Sequence, residues 1–232
     1  MTPLATIGDA VRLSIGVAFW ATLVATPFAV GVGWLLARRR FLGKWILSTT
    51  VYAPLVLPPV ITGFLLLKLL GRRGVFGSWL TAHGVSIPFT FYAAVIASVV
   101  VGFPLFVAIV RTAFESVDRR HDEVASTLGL SPSRVFLRVT LPLASPGILA
   151  GAVLAFARAL GEFGATIVLA GNIERETRTI PMAVYALLES PTGERAAWQL
   201  VCVSLALSLV AMFGYELLIR RHRRLLELDR GR

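Results

Sequence analysis

The chain has 232 residues, of which 56% are hydrophobic and 16% charged, and it carries a net charge of +10 at neutral pH. Soluble domains average about 45–50% apolar and about 25% charged residues, so these values exclude a soluble globule of this size and place the chain in a membrane. The lone Cys202 excludes an intrachain disulfide, and three scattered histidines (His83, His121, His222) are too few to build a zinc site.

A membrane-spanning helix needs about 20 mostly apolar residues, and five segments of this chain meet that length. The first, residues 11–37, is too long for a cleaved signal peptide and lacks a small-residue cleavage site, so it reads as a retained span. The second, residues 45–70, contains Pro54, Pro58 and Pro59, which break or kink a helix. Backbone groups freed at membrane depth are tolerated where they face protein or a water-filled path. Pro58 and Pro59 are therefore candidates for lining a translocation path, with a plain packing irregularity as the alternative. The third span covers residues 88–110 and leads into a long polar loop, residues 114–142.

The loop reads as two short helices. Asp118 is placed to cap the first, with Asp122 and Glu123 in its early turns, where the helix dipole favours negative charge. Gly129 is placed to end it, and Ser131 followed by Pro132 restarts a helix as cap and first helical residue. Leu128, Leu130, Val135 and Phe136 give the pair an apolar face that neither helix can bury alone, so it requires the rest of the bundle or a partner groove. The spacing Glu123-Val124-Ala125, three residues, Gly129, nine residues, Val139-Thr140-Leu141-Pro142 resembles the EAA loop of ABC-transporter permeases. Val124 and Val139 are mild apolar departures from that pattern. The resemblance implies that the loop is a coupling helix docking on an ATPase subunit, with Glu123, Val124, Ala125, Gly129, Leu141 and Pro142 at the motif positions.

The fourth span, residues 143–170, has small residues at four-residue spacing (Gly147, Gly151, Ala155, then Ala157, Gly161, Ala165), which lets helices approach closely in lipid. Arg158 and Glu162 are also four apart, on one helical face. Ionisable residues in a span are functional candidates; the two readings are a mutual ion pair that holds the bundle together and a role in a path or gate. Arg158, the Thr166 hydroxyl and backbone donors suit an anion better than Glu162 does. The outer loop that follows carries a mixed-charge rim and a short helical segment, residues 180–188. The fifth span, residues 197–219, ends in a basic tail.

Fifteen cations fall on the side holding the first loop, the 114–142 loop and the tail, against 7 on the other. The excess marks the cytoplasmic side, which puts the N-terminus outside and the C-terminus in the cytoplasm. The basic tail reads as a topology anchor for acidic lipid headgroups rather than a nucleic-acid site. The expected architecture is all-α: a polytopic membrane helix bundle in a single domain, residues 1–232.

The stretches Arg158 to Thr166, Ala170 to Ile173, Thr177 to Pro181, Pro54 to Val60 and Gly71 to Gly74 resemble molybdate ABC-importer permeases, and the likeness runs from about Val11 to Ile219. It implies a type I importer permease fold in the inner membrane. It further implies a homodimer, two ATPase subunits and a periplasmic binding protein as partners, and molybdate as the translocated anion. Sulfate, thiosulfate and tungstate permeases are the near alternatives. A secondary anion transporter is a weaker reading, because no internal repeat is present. An intramembrane enzyme lacks a catalytic constellation, so the chain is expected to be a non-hydrolytic subunit. The only Gly-Lys pair, Gly43-Lys44, is followed by Trp45 and does not form a phosphate-binding loop. No cofactor of its own is expected, and ATP falls to the partner subunit.

Overall fold

The computed structural model describes residues 3–191 and 193–230. Arg232 of the basic tail lies outside the described residues, as do the side chains of Arg221, Arg223, Arg224 and Arg230. Eleven α-helices and one π-helical turn account for the described secondary structure, and no strand occurs among the described residues. In chain order they are α1 (Pro3–Arg38), α2 (Lys44–Val56), α3 (Pro59–Leu70), α4 (Val75–Ala82), α5 (Phe91–Glu115) and α6 (Arg119–Thr127). Then follow α7 (Pro132–Val135), a π-turn (Phe136–Thr140), α8 (Leu141–Leu160), α9 (Gly164–Leu169), α10 (Ile180–Leu188) and α11 (Glu194–Arg230).

Four helices are long and apolar enough to cross a membrane: Ile7–Arg38, Phe91–Glu115, Pro132–Leu160 and Glu194–Leu217. The α2–α3 pair supplies a fifth crossing only as a bent unit, with an angle of 115° between its halves. Neither Pro58 nor Pro59 has an N–H, so the carbonyls of Pro54 and Leu55 lose their helical donors and the helix ends. Leu57 and Pro58 adopt extended ψ angles of 137° and 133°, and Pro59 starts α3. The second span is thus a broken element rather than one straight helix over residues 45–70.

The fourth span also departs from its expected bounds. It begins at Pro132, inside the polar loop, and stops at Leu160. Gly161 caps its C-terminus, and the chain re-enters helix as α9. Residues 143–170 are therefore a helix, a break and a short second helix. Gly161 lies in the break, where a Cβ would meet nothing closer than 4.0 Å, so the second small-residue run is not one continuous packing stripe. The first run is. A Cβ on Gly147 would lie 2.6 Å from the Ala113 Cβ, and one on Gly151 would lie 3.1 Å from the Ile109 Cγ2, so α8 rests on α5 at close range.

The core is built from α1, α5 and α8, with α9 inserted beside them. One apolar cluster joins Val17, Ala18, Ala94, Leu160, Ala165 and Leu169. The other joins Leu36, Phe106, Val110, Phe114, Ala144 and Ile148. Alanine is the commonest buried residue in both, as expected where helices associate in lipid by close backbone approach rather than by expelling water. The outward side chains of α1 are large and apolar: Phe19, Trp20, Leu23 and Phe28 are 49–63% exposed, a surface suited to acyl chains. The segment expected at residues 180–188 is α10, but Ile180, Met182 and Ala183 are buried in the bundle, and the Ile180 N–H donates to Ser14 Oγ at 2.7 Å.

Candidate coupling site and translocation path

The 114–142 loop folds as two helical pieces with a sharp bend. Asp118 caps α6, its carboxylate accepting the Arg120 N–H at 2.9 Å. That hydrogen bond holds the Asp118 carboxyl below its usual pKa range. At the other end, the Leu130 N–H reaches the Ala125 carbonyl at 3.2 Å and the Gly129 N–H reaches Ser126 at 3.0 Å. This paired arrangement closes a helix around a left-handed residue, and Gly129 supplies it with φ +82°. Pro132 then opens α7, and Ser131 precedes it as cap residue, without a side-chain capping bond.

The bend divides the apolar residues of the loop into two groups. Val135 is buried, and Phe136 packs edge-on against Trp34 with ring centroids 5.2 Å apart. Phe114 lies on the other side of Phe136, at 6.1 Å. These residues pin the second piece to the bundle. Val124 on α6 and Leu128 at its C-cap, one helical turn apart, are 58% and 78% exposed. Glu123 beside them is exposed, while Ala125 is buried against the bundle. Of the six motif residues, Val124 thus faces away from the protein, Glu123 is exposed at the edge of a cleft that Trp34, Arg38 and Asp122 also line, Ala125 faces inward and Gly129 makes the bend. Leu141 and Pro142 sit apart from them at the start of α8, with Leu141 packed on the second core cluster.

The path candidates are brought together by the two helix breaks. A Cβ on Gly63 of α3 would lie 2.6 Å from the Ala165 carbonyl oxygen, and one on Gly164 would lie 2.9 Å from the Pro59 Cβ. The α3 half-helix that begins at Pro59 therefore lies directly on α9, where Thr166 is 1% exposed. Pro58 remains exposed at the bend. In the second break, Glu162 is 3% exposed and accepts the Ala165 N–H at 2.9 Å. Its other oxygen pairs with Arg158 Nη1 at 2.9 Å. Arg158 and Glu162 thus form an ion pair four residues apart, at the end of α8. The hydroxyls of Thr62 and Thr166 are buried without a hydrogen-bond partner among the described residues, an unusual condition for buried polar groups.

Two features went unnoticed in the sequence. The first is the close approach of Gly63 to Ala165 and of Gly164 to Pro59 across the breaks; each glycine was visible, but nothing in either segment pairs it with the other element. The second is a junction of Arg38, Asp122 and Thr140 beneath α6. Its members lie 84 and then 18 positions apart along the chain and stand out only as a loop cation, a helix-start acid and a threonine at the variable position of the motif. The outer loop is ordered by its own polar contacts. Thr177 Oγ1 accepts the Ile173 N–H at 3.0 Å, Arg178 Nε donates to Asn172 Oδ1 at 2.8 Å, and Arg175 pairs with Asp9 at 3.3 Å.

Comparison with known proteins gives a consistent picture. Residues 29–224 match the model of the binding-protein-dependent transport system inner membrane component family. The chain is 47% identical to the molybdenum transport system permease protein ModB of Escherichia coli K12, over 91% of this chain and 93% of that protein. It is 45% identical to ModB of Haemophilus influenzae, over 92% and 93%, and 42% identical to ModB of Mycobacterium tuberculosis, over 87% and 75%. Among solved structures, a MetNI methionine ABC transporter in inward-facing form superposes with a TM-score of 0.73 at 16% identity, covering 96% of this chain and 99% of that one. A bacterial alginate ABC transporter in complex with alginate pentasaccharide-bound periplasmic protein superposes at 0.71 and 18% identity, covering 92% and 78%. The fold is that of type I ABC-importer permeases.

Proposed function

Because the chain belongs to the binding-protein-dependent transport system inner membrane components, and among them to the molybdenum transport permeases, we propose that it is the membrane subunit of an ABC importer for molybdate. The observation that carries this reading is α6. It is a capped, amphipathic helix at the EAA spacing that turns Val124 and Leu128 outward, in a chain otherwise similar to ModB along nine-tenths of its length.

In this reading α6 docks in a groove of a separate ATPase subunit, which binds the ATP. Two copies of the permease surround a central path and hold two ATPases, and a periplasmic binding protein delivers the anion. The cation excess places α6 and the C-terminus in the cytoplasm and the N-terminus outside. ATP binding draws the two docking helices together and opens the path outward; hydrolysis resets it. The broken elements α2–α3 and α8–α9, with Arg158, Thr166 and Pro58–Pro59, line or gate that path. Anion binding within it is weak, because tight binding slows release. Specificity then resides mainly in the binding protein.

The test is purification of the chain from membranes with its associated subunits, followed by reconstitution with the binding protein. Co-purification of an ATPase and ATP-dependent uptake of molybdate in preference to sulfate are expected. Uptake without any ATPase would overturn the importer reading. Preference for sulfate would reassign the substrate and leave the architecture in place.

A further inference from the structure

Arg38 is the last residue of α1, and its side chain is only 8% exposed. It reaches two places at once. Nη2 donates to the Val117 carbonyl at 2.8 Å, in the elbow between α5 and α6, and Nη1 lies 3.7 Å from Asp122 Oδ2 on α6. The other oxygen of Asp122 accepts from the Thr140 hydroxyl at 2.8 Å. Thr140 is 2% exposed and is the last residue of the π-turn that runs into α8. One carboxylate on α6 is therefore held from one side by the end of a spanning helix and from the other by the start of a second.

The placement of Asp122 on α6 separates it from the docking surface. It lies three residues before the buried Ala125, on the inward face, and its side chain is 27% exposed. Val124 and Leu128 occupy the outward face. Nine residues are too few for a helix that is stable in isolation, so the orientation of α6 is set by what ties it down. Ala125 supplies a contact without direction. Asp122 supplies one directed hydrogen bond, from the Thr140 hydroxyl, and a looser ion pair with Arg38 at 3.7 Å. The Nε of Arg38 is buried without a hydrogen-bond partner among the described residues, so removal of Asp122 leaves this guanidinium with the Val117 carbonyl and the weaker electrostatic attraction of Asp118.

We infer that Asp122 is a positioning residue that transmits displacement of the docked α6 to α1, through Arg38, and to α8, through Thr140. This rests on the reading of α6 as the ATPase-docking helix. It assigns the two faces of α6 separate tasks: the outward face holds the ATPase, and the inward carboxylate turns its movement into movement of the spanning helices.

The experiment uses the complete transporter, permease with ATPase and binding protein, in proteoliposomes. Two quantities are read: ATPase recovered with the permease, and molybdate imported per ATP hydrolysed. Asp122→Ala is expected to retain its ATPase while molybdate per ATP falls roughly tenfold, within the usual range of inter-site coupling. Asp122→Asn keeps an acceptor for Thr140 but not the charge, and falls between wild type and Asp122→Ala. Thr140→Val lowers the ratio, and Thr140→Ser restores it. Leu128→Glu shows the opposite pattern, with loss of the ATPase itself. Loss of the ATPase from Asp122→Ala, or an unchanged ratio in that variant, overturns the inference. If Asp122→Ala does not accumulate, Asp122→Asn and Thr140→Val decide by the same ratio. A wild-type chain that recovers no ATPase refutes the docking reading instead. Sulfate is run in parallel with molybdate, so that a wrong substrate assignment shows separately from a wrong assignment of Asp122.

Discussion

Arg158 Nη1 lies 2.9 Å from Glu162 Oε2 across the end of α8, with the guanidinium 38% exposed and the carboxylate 2%. The pair is asymmetric: Glu162 is interior and also accepts the Ala165 N–H, while Arg158 reaches outward. Their charges cancel locally, which in the proposed path would moderate the pull of Arg158 on an oxyanion and keep its stay brief. Glu162→Gln keeps an acceptor for Ala165 and removes the charge. It is expected to fold almost as well as wild type, to hold molybdate longer and to import it more slowly. Glu162→Ala loses both contacts and is expected to cost about 1.5–3 kcal/mol, the size of hydrogen bonds to charged groups. Thermal unfolding in detergent and uptake rates check both; equal stabilities for the two variants would contradict this account.

Gly63 and Gly164 make the contact between α3 and α9 possible. A Cβ on Gly63 would stand 2.6 Å from the Ala165 oxygen and 2.8 Å from its Cα, and backbone atoms cannot rotate away. Gly63→Ala must therefore push the two half-helices apart, at an expected cost of about 1–3 kcal/mol typical of overpacking. Gly102 on α5 is the control: a Cβ there meets nothing within 4 Å. Gly102→Ala is expected to be neutral or to raise stability by up to about 1 kcal/mol, the helix-propensity difference. Melting temperatures of the two variants in the same detergent decide the point.

The elements that were legible in the sequence are those whose cause is local. Asp118 at a cap, Gly129 at a helix end and Pro132 at a helix start each act within a turn or two, and the structure places all three as read. Runs of apolar residues revealed that spans exist but not where they break. The 115° bend follows from Pro58 and Pro59, yet its angle depends on α9 lying against α3. The end of α8 at Leu160 has no proline to announce it. There Glu162 turns back to Arg158 and takes the Ala165 N–H, a tertiary solution written in residues that look helical. The Arg38–Asp122–Thr140 junction was illegible for the same reason: three distant positions meet only once α1, α6 and α8 are packed.

Asp118 gives α6 a dependence on pH whose direction is fixed. Its folded pKa is lowered, first by the hydrogen bond from the Arg120 N–H. A carboxyl with a depressed folded pKa stabilises above its unfolded pKa, near 3.9. That contribution is lost as pH falls through the lower, folded value. The cap is therefore complete at neutral pH and insensitive to changes there. Asp118→Asn is expected to retain most of the capping, and Asp118→Ala to loosen the first turn of α6 at neutral pH, a difference that shrinks as pH falls through the folded pKa. Hydrogen exchange of the first α6 amides, measured at neutral pH, reads this; equal protection in Asp118→Ala and wild type would refute the cap.

Gly129 tests whether the bend or the bulk matters at the end of the docking helix. Its φ is +82°, and a Cβ would meet nothing within 4 Å, so any penalty is conformational rather than steric. A left-handed conformation costs an ordinary residue about 1–2 kcal/mol, asparagine less because it tolerates that region, and a β-branched residue more. The expected order of damage is Gly129→Asn, then Gly129→Ala, then Gly129→Val, with Val straightening the bend and displacing Leu128 from the docking face. Recovery of the ATPase with each variant and uptake of molybdate per ATP both follow that order. An order set by side-chain volume, with Asn worse than Ala, would show that a partner packs against this position and that space rather than backbone geometry limits it.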